Sequence, residues 1–206
     1  MVCSDTYIEY KEKNASSRKS GMVKFSGSEL IITNVSNRNT EKSKGENLTV
    51  AFQSNFLNQI PVRGRFSFSL SEWKKGTFSV TASVSKSFDA NILNQLTEPM
   101  ALMKIEKGSI HSLKFSMTAD TNSSKGSLIL PYNDLKIAFL KKDGNGDNKK
   151  GLLSLLANVL VKNNKQEGPK MRIAEVSFNR NKRRSFFNFI WLTLFAGVRD
   201  LVLIKI

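Results

Sequence analysis

Two neighbouring stretches decide the fold: Arg65–Ser71 reads R-F-S-F-S-L-S, and Thr77–Ser85 reads T-F-S-V-T-A-S-V-S. In both, apolar residues alternate with serine or threonine. Successive side chains of a strand point to opposite faces of a sheet, so this pattern places the apolar groups on one face. The join Trp73–Gly76 is short, which favours antiparallel neighbours. The sequence therefore predicts an antiparallel meander with one apolar face.

The same alternation recurs further along the chain and predicts more strands. It appears at Leu113, Phe115, Met117 and Ala119, at Leu135, Ile137 and Phe139, and at Ala174, Val176 and Phe178. Residues 1–75 are expected to add strands, whose pairing the pattern leaves open, at Tyr7–Glu12, Gly21–Phe25, Glu29–Val35 and Leu48–Gln53. The polar segments Asp120–Gly126, Asp143–Lys150 and Ser36–Asn47 are predicted loops.

Three helices are predicted among the strands. Asp89 caps a short one that runs through Leu96, with Pro99 beyond its end. A second, over Gly151–Lys162, has an apolar stripe of Leu152, Leu155, Leu156, Val159 and Leu160. A third begins near Ser185 as N-cap. Its expected main stripe is Phe187, Ile190, Trp191, Leu194, Val198, Leu201 and Val202, with Phe186, Phe189 and Leu192 outside it. This helix is more apolar than one core contact requires, so part of it should touch something else. The predicted fold class is mainly β (α+β), with two or three amphipathic helices on the sheet.

Composition excludes several classes of protein. The 206 residues are 40% hydrophobic, which is enough to fill a core and argues against a disordered chain. The single cysteine excludes a disulfide scaffold, and the single histidine, His111, has no titratable partner at a recognisable spacing. Asp143–Asp147 opens like a calcium loop, but Asn148 and Ser154 stand where an EF-hand needs Gly and Glu. We therefore expect no enzyme activity, no cofactor and no metal.

The charge pattern points to an anionic partner. There are 32 basic and 17 acidic residues, which gives a net charge of +15. The densest basic run, from Arg180 to Arg184, comes just before the apolar stretch Phe186–Val198, whose 13 residues are too few to span a bilayer. Basic residues beside an apolar segment are typical of an anionic membrane surface, although a solvated charge run is the alternative. The membrane-surface candidates are Lys182, Arg183, Arg184, Phe186, Phe187, Phe189 and Trp191.

Several segments between Gly76 and Val202 carry a resemblance to a known family. The most specific are YNDLKI at Tyr132–Ile137, LLSLLAN at Leu152–Asn158 and SFFNFIW at Ser185–Trp191. They resemble the C-terminal region of bacterial AsmA-like envelope proteins, which are related to TamB and other bridge-like lipid-transfer proteins. The resemblance covers 127 of the 206 positions.

The resemblance implies a single domain built on a curved antiparallel sheet, whose apolar face forms a groove for phospholipid acyl chains. It implies no catalytic residues. It also implies a bacterial cell-envelope location, periplasmic or membrane-associated. An edge strand would allow pairing with another envelope protein. The groove candidates, of which the first three rest on alternation alone, are Phe66, Phe68, Leu70, Phe78, Val80, Val84, Leu113, Phe115, Met117, Leu135, Ile137 and Phe139.

Two alternatives to lipid handling stay open. The apolar face could pack against the chain's own helices as a closed core, which would leave a structural or interaction module. The basic charge could instead serve nucleic acid or another polyanion. Nucleic acid is the less favoured partner, because the strands carry serine and threonine between their apolar positions rather than basic and aromatic residues.

Overall fold

A computed structural model describes residues 1–13, 20–35, 46–142, 153–161, 163–164 and 171–202. Within these residues the protein is mainly β, as the alternation predicts. The strands are β1 Val2–Lys13, β2 Ser20–Thr33, β3 Asn47–Phe56, β4 Ile60–Ser69, β5 Phe78–Val84, β6 Phe88–Asp89, β7 Met103–Ile110, β8 Leu113–Ala119, β9 Ser123–Ile129, β10 Tyr132–Lys142, β11 Leu153–Leu160 and β12 Ile173–Asn179. The α-helices are α1 Asn94–Ala101 and α2 Phe186–Val202.

The larger sheet has eight antiparallel strands in the order β1-β2-β3-β4-β5-β8-β9-β12. Its register aligns the apolar positions of neighbouring strands, so that Phe66 pairs with Val80 and Val80 with Met117. We call the face that carries these side chains the inner face. The opposite face, which carries the alternating serines and threonines, is the outer face.

The smaller sheet has four antiparallel strands in the order β11-β10-β7-β6. One hydrophobic cluster contains residues of both sheets and of α2, so the two sheets share a core. Ala90, Leu128, Tyr132 and Ala174 lie at its centre and are fully buried.

The predicted helix over Gly151–Lys162 is wrong. Leu153–Leu160 is strand β11, which pairs with β10 so that Val159 lies opposite Ile137. A short apolar run fits either a helix or a buried strand by its periodicity. The backbone N–H and C=O groups of β10 need hydrogen-bond partners, and pairing with them makes this segment a strand rather than a helix.

The predicted loop over Asp120–Gly126 is also too long, since β9 begins at Ser123. The serine and glycine residues of this strand interrupt the apolar alternation, so a hydrophobicity pattern does not reveal it. A Cβ on Gly126 would collide with the carbonyl oxygen of Ser116 on β8, so the position requires glycine.

Strand β7 has no counterpart in the sequence prediction. The predicted strands Gly21–Phe25 and Glu29–Val35 are largely one strand, β2, with an irregular register between Ser26 and Glu29. Asp143–Lys150 and most of Ser36–Asn47 lie outside the described residues.

The helix predicted at Asp89 is present but extends further. The Asp89 carboxylate accepts the Asn91 N–H at 3.3 Å and caps a 3₁₀ turn, Ala90–Leu93, that leads into α1. Pro99 lies inside α1 rather than beyond it. Packing explains the difference, because this end of the helix lies against Gly21 of β2, where a Cβ would collide with Met100. The tertiary contact outweighs the one backbone hydrogen bond that proline removes.

Candidate functional site

Helix α2 covers part of the inner face with a run of phenylalanine rings. The Phe186 ring centroid lies 6.2 Å from that of Phe66, 6.0 Å from Phe68 and 4.9 Å from Phe78. One turn later, Phe189 contacts Phe78 at 6.3 Å. Such pairs stabilise a fold beyond the area that they bury. The start of α2 is therefore packed into the apolar face of β4 and β5.

The predicted groove residues divide between the two sheets. Leu135, Ile137 and Phe139 belong to β10 of the smaller sheet, so the twelve positions do not form one continuous strip. The chain's own packing buries Phe78, Val80, Val84, Phe115, Met117, Leu135 and Ile137. Phe66, Phe68, Leu70, Leu113 and Phe139 are half-buried. Around β5 and β8 the inner face is thus a closed core, the alternative that the sequence left open.

Ser185 caps α2, as predicted. Its hydroxyl oxygen accepts the Asn188 N–H at 3.1 Å, and its backbone carbonyl accepts the Phe189 N–H at 3.3 Å. The same hydroxyl lies 2.7 Å from the Tyr10 hydroxyl of β1. Because β1 is the edge strand, this contact ties the first strand of the large sheet to the start of the last helix.

Two small residues bring the middle of α2 close to the sheet. The hydroxyls of Thr193 and Ser124 are 2.9 Å apart, and both residues are almost fully buried. A Cβ on Gly197 would lie 3.0 Å from side-chain atoms of Leu128 and Val176. The helix therefore rests directly on β9 and β12.

The C-terminal end of α2 is held by donors to its last carbonyls. The Tyr132 hydroxyl and the Arg172 guanidinium both donate to the carbonyl oxygen of Leu201, each at 2.9 Å. Arg172 also donates to the Asp200 carbonyl at 2.7 Å. Burial raises the pKa of Tyr132, and the nearby Arg172 charge opposes that shift. The tyrosine therefore stays a neutral donor at physiological pH, and both ends of the helix are fixed.

The predicted main stripe of α2 coincides in large part with its packed side, where Leu201 and Val202 are buried and Ile190, Leu194 and Val198 pack on the core. Phe189, predicted as a surface residue, is 2% exposed, whereas Phe187 of the predicted stripe is 52% exposed. The buried side carries Phe189, Thr193, Gly197 and Leu201. Thr193 and Gly197 add little to an apolar pattern, so the larger side chains elsewhere on the helix dominated the prediction.

Aromatic residues also line the opposite side of α2. Phe187, Trp191 and Phe195 follow one another at intervals of four residues, and we call them the outer stripe. The Trp191 and Phe195 rings stack at 6.1 Å, and both residues are half-buried. The exposed Phe187 ring lies 5.6 Å from that of Tyr10. Phe195 was missing from the membrane-surface candidates, although its spacing from Trp191 is the signal that finds it.

A cluster of basic residues stands directly before the outer stripe. Lys182, Arg183 and Arg184 are all exposed, and we call them the basic collar. They lie in a turn in which Asn181 accepts the backbone N–H groups of Arg183 and Arg184, each at 3.0 Å. Arg180 is different, because its guanidinium lies 5.4 Å from the centroid of the Phe189 ring. It belongs to the core contact of α2 rather than to the collar.

Candidate metal ligands do not cluster in the described residues. Nowhere in the part of the chain that the structure covers do three or more His, Cys, Asp or Glu side chains cluster as metal ligands. The calcium-like loop Asp143–Asp147 lies outside that part. His111 lies between β7 and β8, and its backbone N–H donates to the Pro131 carbonyl at 2.9 Å. Neither described helix has the length and apolar character needed to cross a membrane.

Comparisons with protein-family models, with curated proteins and with solved structures returned no match to this chain. The outer stripe and the basic collar are therefore interpreted from their geometry and chemistry.

Proposed function

We propose that this protein is a non-enzymatic protein that docks on an anionic membrane surface and handles lipid there. The observation that carries the proposal is the exposed Phe187, at the start of the outer stripe and next to the basic collar. Helices that lie on a bilayer present this combination, with aromatic side chains at the level of the headgroups and basic residues near the anionic lipids.

The collar and the stripe supply different parts of the binding free energy. A basic residue near an anionic leaflet contributes about 1 kcal/mol, so three of them contribute about 3 kcal/mol. That attraction falls with salt, since its range is about a Debye length. The stripe adds apolar burial that salt does not screen. We therefore expect vesicle binding that salt weakens but does not abolish.

Lipid handling is proposed for the part of the inner face that lies beyond α2. There, Phe25, Val50 and Phe52 on β2 and β3 are only half-buried. These residues extend the apolar face that Phe186 covers on β4 and β5. We propose that a phospholipid acyl chain lies along this open part, while the headgroup stays at the membrane surface.

The resemblance of Gly76–Val202 to AsmA-like proteins supports a location in the bacterial cell envelope, periplasmic or membrane-associated. Another envelope protein could pair with an edge of the large sheet, at β1 or β12. Strand β1 has irregular register between Cys3 and Ile8, and Asp5 there has a φ of 48°. Such bulges interrupt a straight edge, so β12 is the better candidate for edge pairing.

Vesicle co-sedimentation tests the docking. We expect binding to vesicles with 30% phosphatidylglycerol and little binding to pure phosphatidylcholine, because the collar needs an anionic surface. A Lys182→Ser, Arg183→Ser double variant should lose about thirtyfold in affinity. The matched control, Arg65→Ser with Lys114→Ser, removes the same charge from the outer face and should bind as the wild type does. Equal loss in both variants, or equal binding to both vesicle types, contradicts the proposal.

Lipid extraction from gently purified protein, together with native mass spectrometry, tests the handling. Phospholipid at a defined stoichiometry supports an acyl chain on the open inner face. A lipid-free mass, with vesicle binding intact, would restrict the function to surface docking and favour the closed-core interaction module.

A further inference from the structure

We infer that the outer face of the large sheet binds an acidic polysaccharide, in a cationic trough lined by hydroxyl groups. This surface lies on the opposite side of the sheet from α2, so the inference goes beyond membrane docking. It rests on four cations, on the rows of hydroxyls between them and on the shape of the surface.

The strand register places the cations and hydroxyls in rows across β4, β5, β8 and β9. One row runs Arg65, Thr81, Ser116, Ser127, and the next runs Arg63, Ser83, Lys114, Ile129. A third row runs Ser67, Ser79, Thr118, Lys125. Strands lie about 4.8 Å apart, so the four cations share a surface about 15 Å wide.

Two carboxylates flank the four cations on the outer face, Glu175 of β12 beside Ser127 and Glu29 of β2 beside Gln53, and the cations outnumber them. Arg63, Arg65, Lys114 and Lys125 are exposed, and none of them belongs to a salt bridge within the described ranges. Arg63 donates to the Ser85 hydroxyl at 3.3 Å, a neutral acceptor. The rows themselves hold no acidic residue over these four strands. Four like charges so arranged repel one another, and a bound polyanion would relieve that repulsion.

A shallow trough of about 600 Å³ runs between the first two rows. Its floor is the backbone around Gly64 and Ala82, whose side-chain positions face the inner side of the sheet. Arg65 and Lys114 stand on opposite walls. An extended polymer lying in the trough would meet cations on both sides and hydroxyls between them.

The chemistry of the face favours a polysaccharide over the other polyanions. Its three rows contain no aromatic side chain, so nucleic-acid bases would find nothing to stack on. A flat sheet face also cannot enter the major groove of a duplex. Serine and threonine hydroxyls both donate and accept, which suits the many hydroxyls of a sugar chain. Guanidinium groups match carboxylate and sulfate groups with two parallel hydrogen bonds.

The test is binding of fluorescent heparin and of alginate to the full chain, with neutral dextran as control. We expect both acidic polymers to bind and dextran not to bind, with affinity that falls as salt rises. The Arg65→Ser, Lys114→Ser variant should lose about tenfold in affinity for both, since two charge contacts of modest strength are removed. The collar variant, Lys182→Ser with Arg183→Ser, carries the same net charge and should lose less than twofold. Circular dichroism and thermal unfolding confirm that both variants fold.

Each alternative result is distinct. An equal loss in the two variants would show that net charge alone drives binding, and would overturn the inference. Tighter binding of a 20-nucleotide oligo-dT, lost in the same outer-face variant, would replace the polysaccharide by nucleic acid and overturn it as well. Loss of vesicle binding in the outer-face variant would make this face the membrane contact and overturn both proposals. Failure of polysaccharide binding with collar-dependent vesicle binding intact would overturn this inference alone.

Discussion

The two sides of α2 differ more in what they contact than in how apolar they are. The buried side rests on β9 and β12 through Phe189, Thr193 and Gly197. The outward side carries Phe187, Trp191 and Phe195, which are larger and no less apolar. Hydrophobicity alone therefore does not select the buried side: Thr193 and Gly197 allow the helix to approach the sheet closely. On the outward side, the Phe187 ring is 52% exposed and remains available for a partner.

The largest effect is expected from a charge placed beneath α2. Phe115 is 4% exposed on β8, in the core that both sheets and the helix share. Phe115→Asp buries an unpaired carboxylate, at a cost of several kcal/mol, and should abolish cooperative folding. Thermal unfolding followed by circular dichroism measures this, with Phe115→Leu as the control that should fold. A folded Phe115→Asp protein would mean that the inner face is open at this point.

One substitution on each side of α2 tests whether the buried and outward sides differ in their contribution to stability. Phe189→Ala should lower the free energy of unfolding by about 3–5 kcal/mol, because it leaves a cavity against Phe78 and Phe178. Phe187→Ala should lower it by less than about 1 kcal/mol, since the ring is already half in solvent. Urea unfolding gives both values. Vesicle affinity should fall for Phe187→Ala, and equal destabilisation by the two variants would remove the distinction between the sides.

A smaller effect is expected from the hydroxyl pair on the buried side. Thr193→Val keeps the shape but removes the bond to Ser124 and the bond that Thr193 donates to the Phe189 carbonyl. We expect a loss of about 1–2 kcal/mol in urea unfolding. Thr118→Val, on the exposed outer face, makes the same chemical change and should cost less than about 0.5 kcal/mol. Equal losses in the free energy of unfolding for the two variants would show that the buried Ser124–Thr193 hydrogen bond does not stabilise the fold.

The cap of α2 should contribute to stability on a similar or slightly smaller scale. Ser185→Ala removes the acceptor for the Asn188 N–H and the contact with Tyr10, and should cost about 1 kcal/mol. Ser185→Asp keeps an acceptor at the N-terminus of the helix and should recover most of that loss. Chemical denaturation of the three proteins measures the difference. A Ser185→Asp protein as unstable as Ser185→Ala would show that the N-cap is not the source of the loss.

The smallest effect is a pH dependence at the turn that leads into β9. The backbone N–H groups of Asn122 and Ser123 hold the pKa of the Asp120 carboxyl below its usual range. A lowered folded-state pKa stabilises the fold above the unfolded pKa of about 4, and this contribution is lost as the pH falls further. The melting-temperature difference between wild type and Asp120→Asn should therefore shrink between about pH 5 and pH 3. A constant difference would exclude the carboxylate as its cause.

The sequence predicted the antiparallel sheet well, because alternation at positions such as Phe78, Val80 and Phe115 is a local property. It also located the start of α2, since Ser185 is a strong cap. It failed at β11 and at β9, where pairing with β10 and β8 decides the structure and local residues do not. On α2 most of the predicted stripe packs on the core, but Phe187 and Phe189 were assigned to the wrong sides. The contacts of Thr193 and Gly197 with β9 and β12, which set the side that is buried, cannot be seen in the sequence.

The hydroxyl contact between Ser124 and Thr193 has a consequence for where the helix can rest along its own axis. Apolar surfaces tolerate sliding, and a shift of one helical turn would move α2 by 5.4 Å while keeping similar side chains in contact. Such a shift would separate the two hydroxyls and leave both buried without each other. It would also move Gly197 away from Leu128 and Val176, whose side chains leave little room for a larger residue. The axial position of α2 is therefore a single energy minimum, and the direction in which Phe187 points outward is fixed with it.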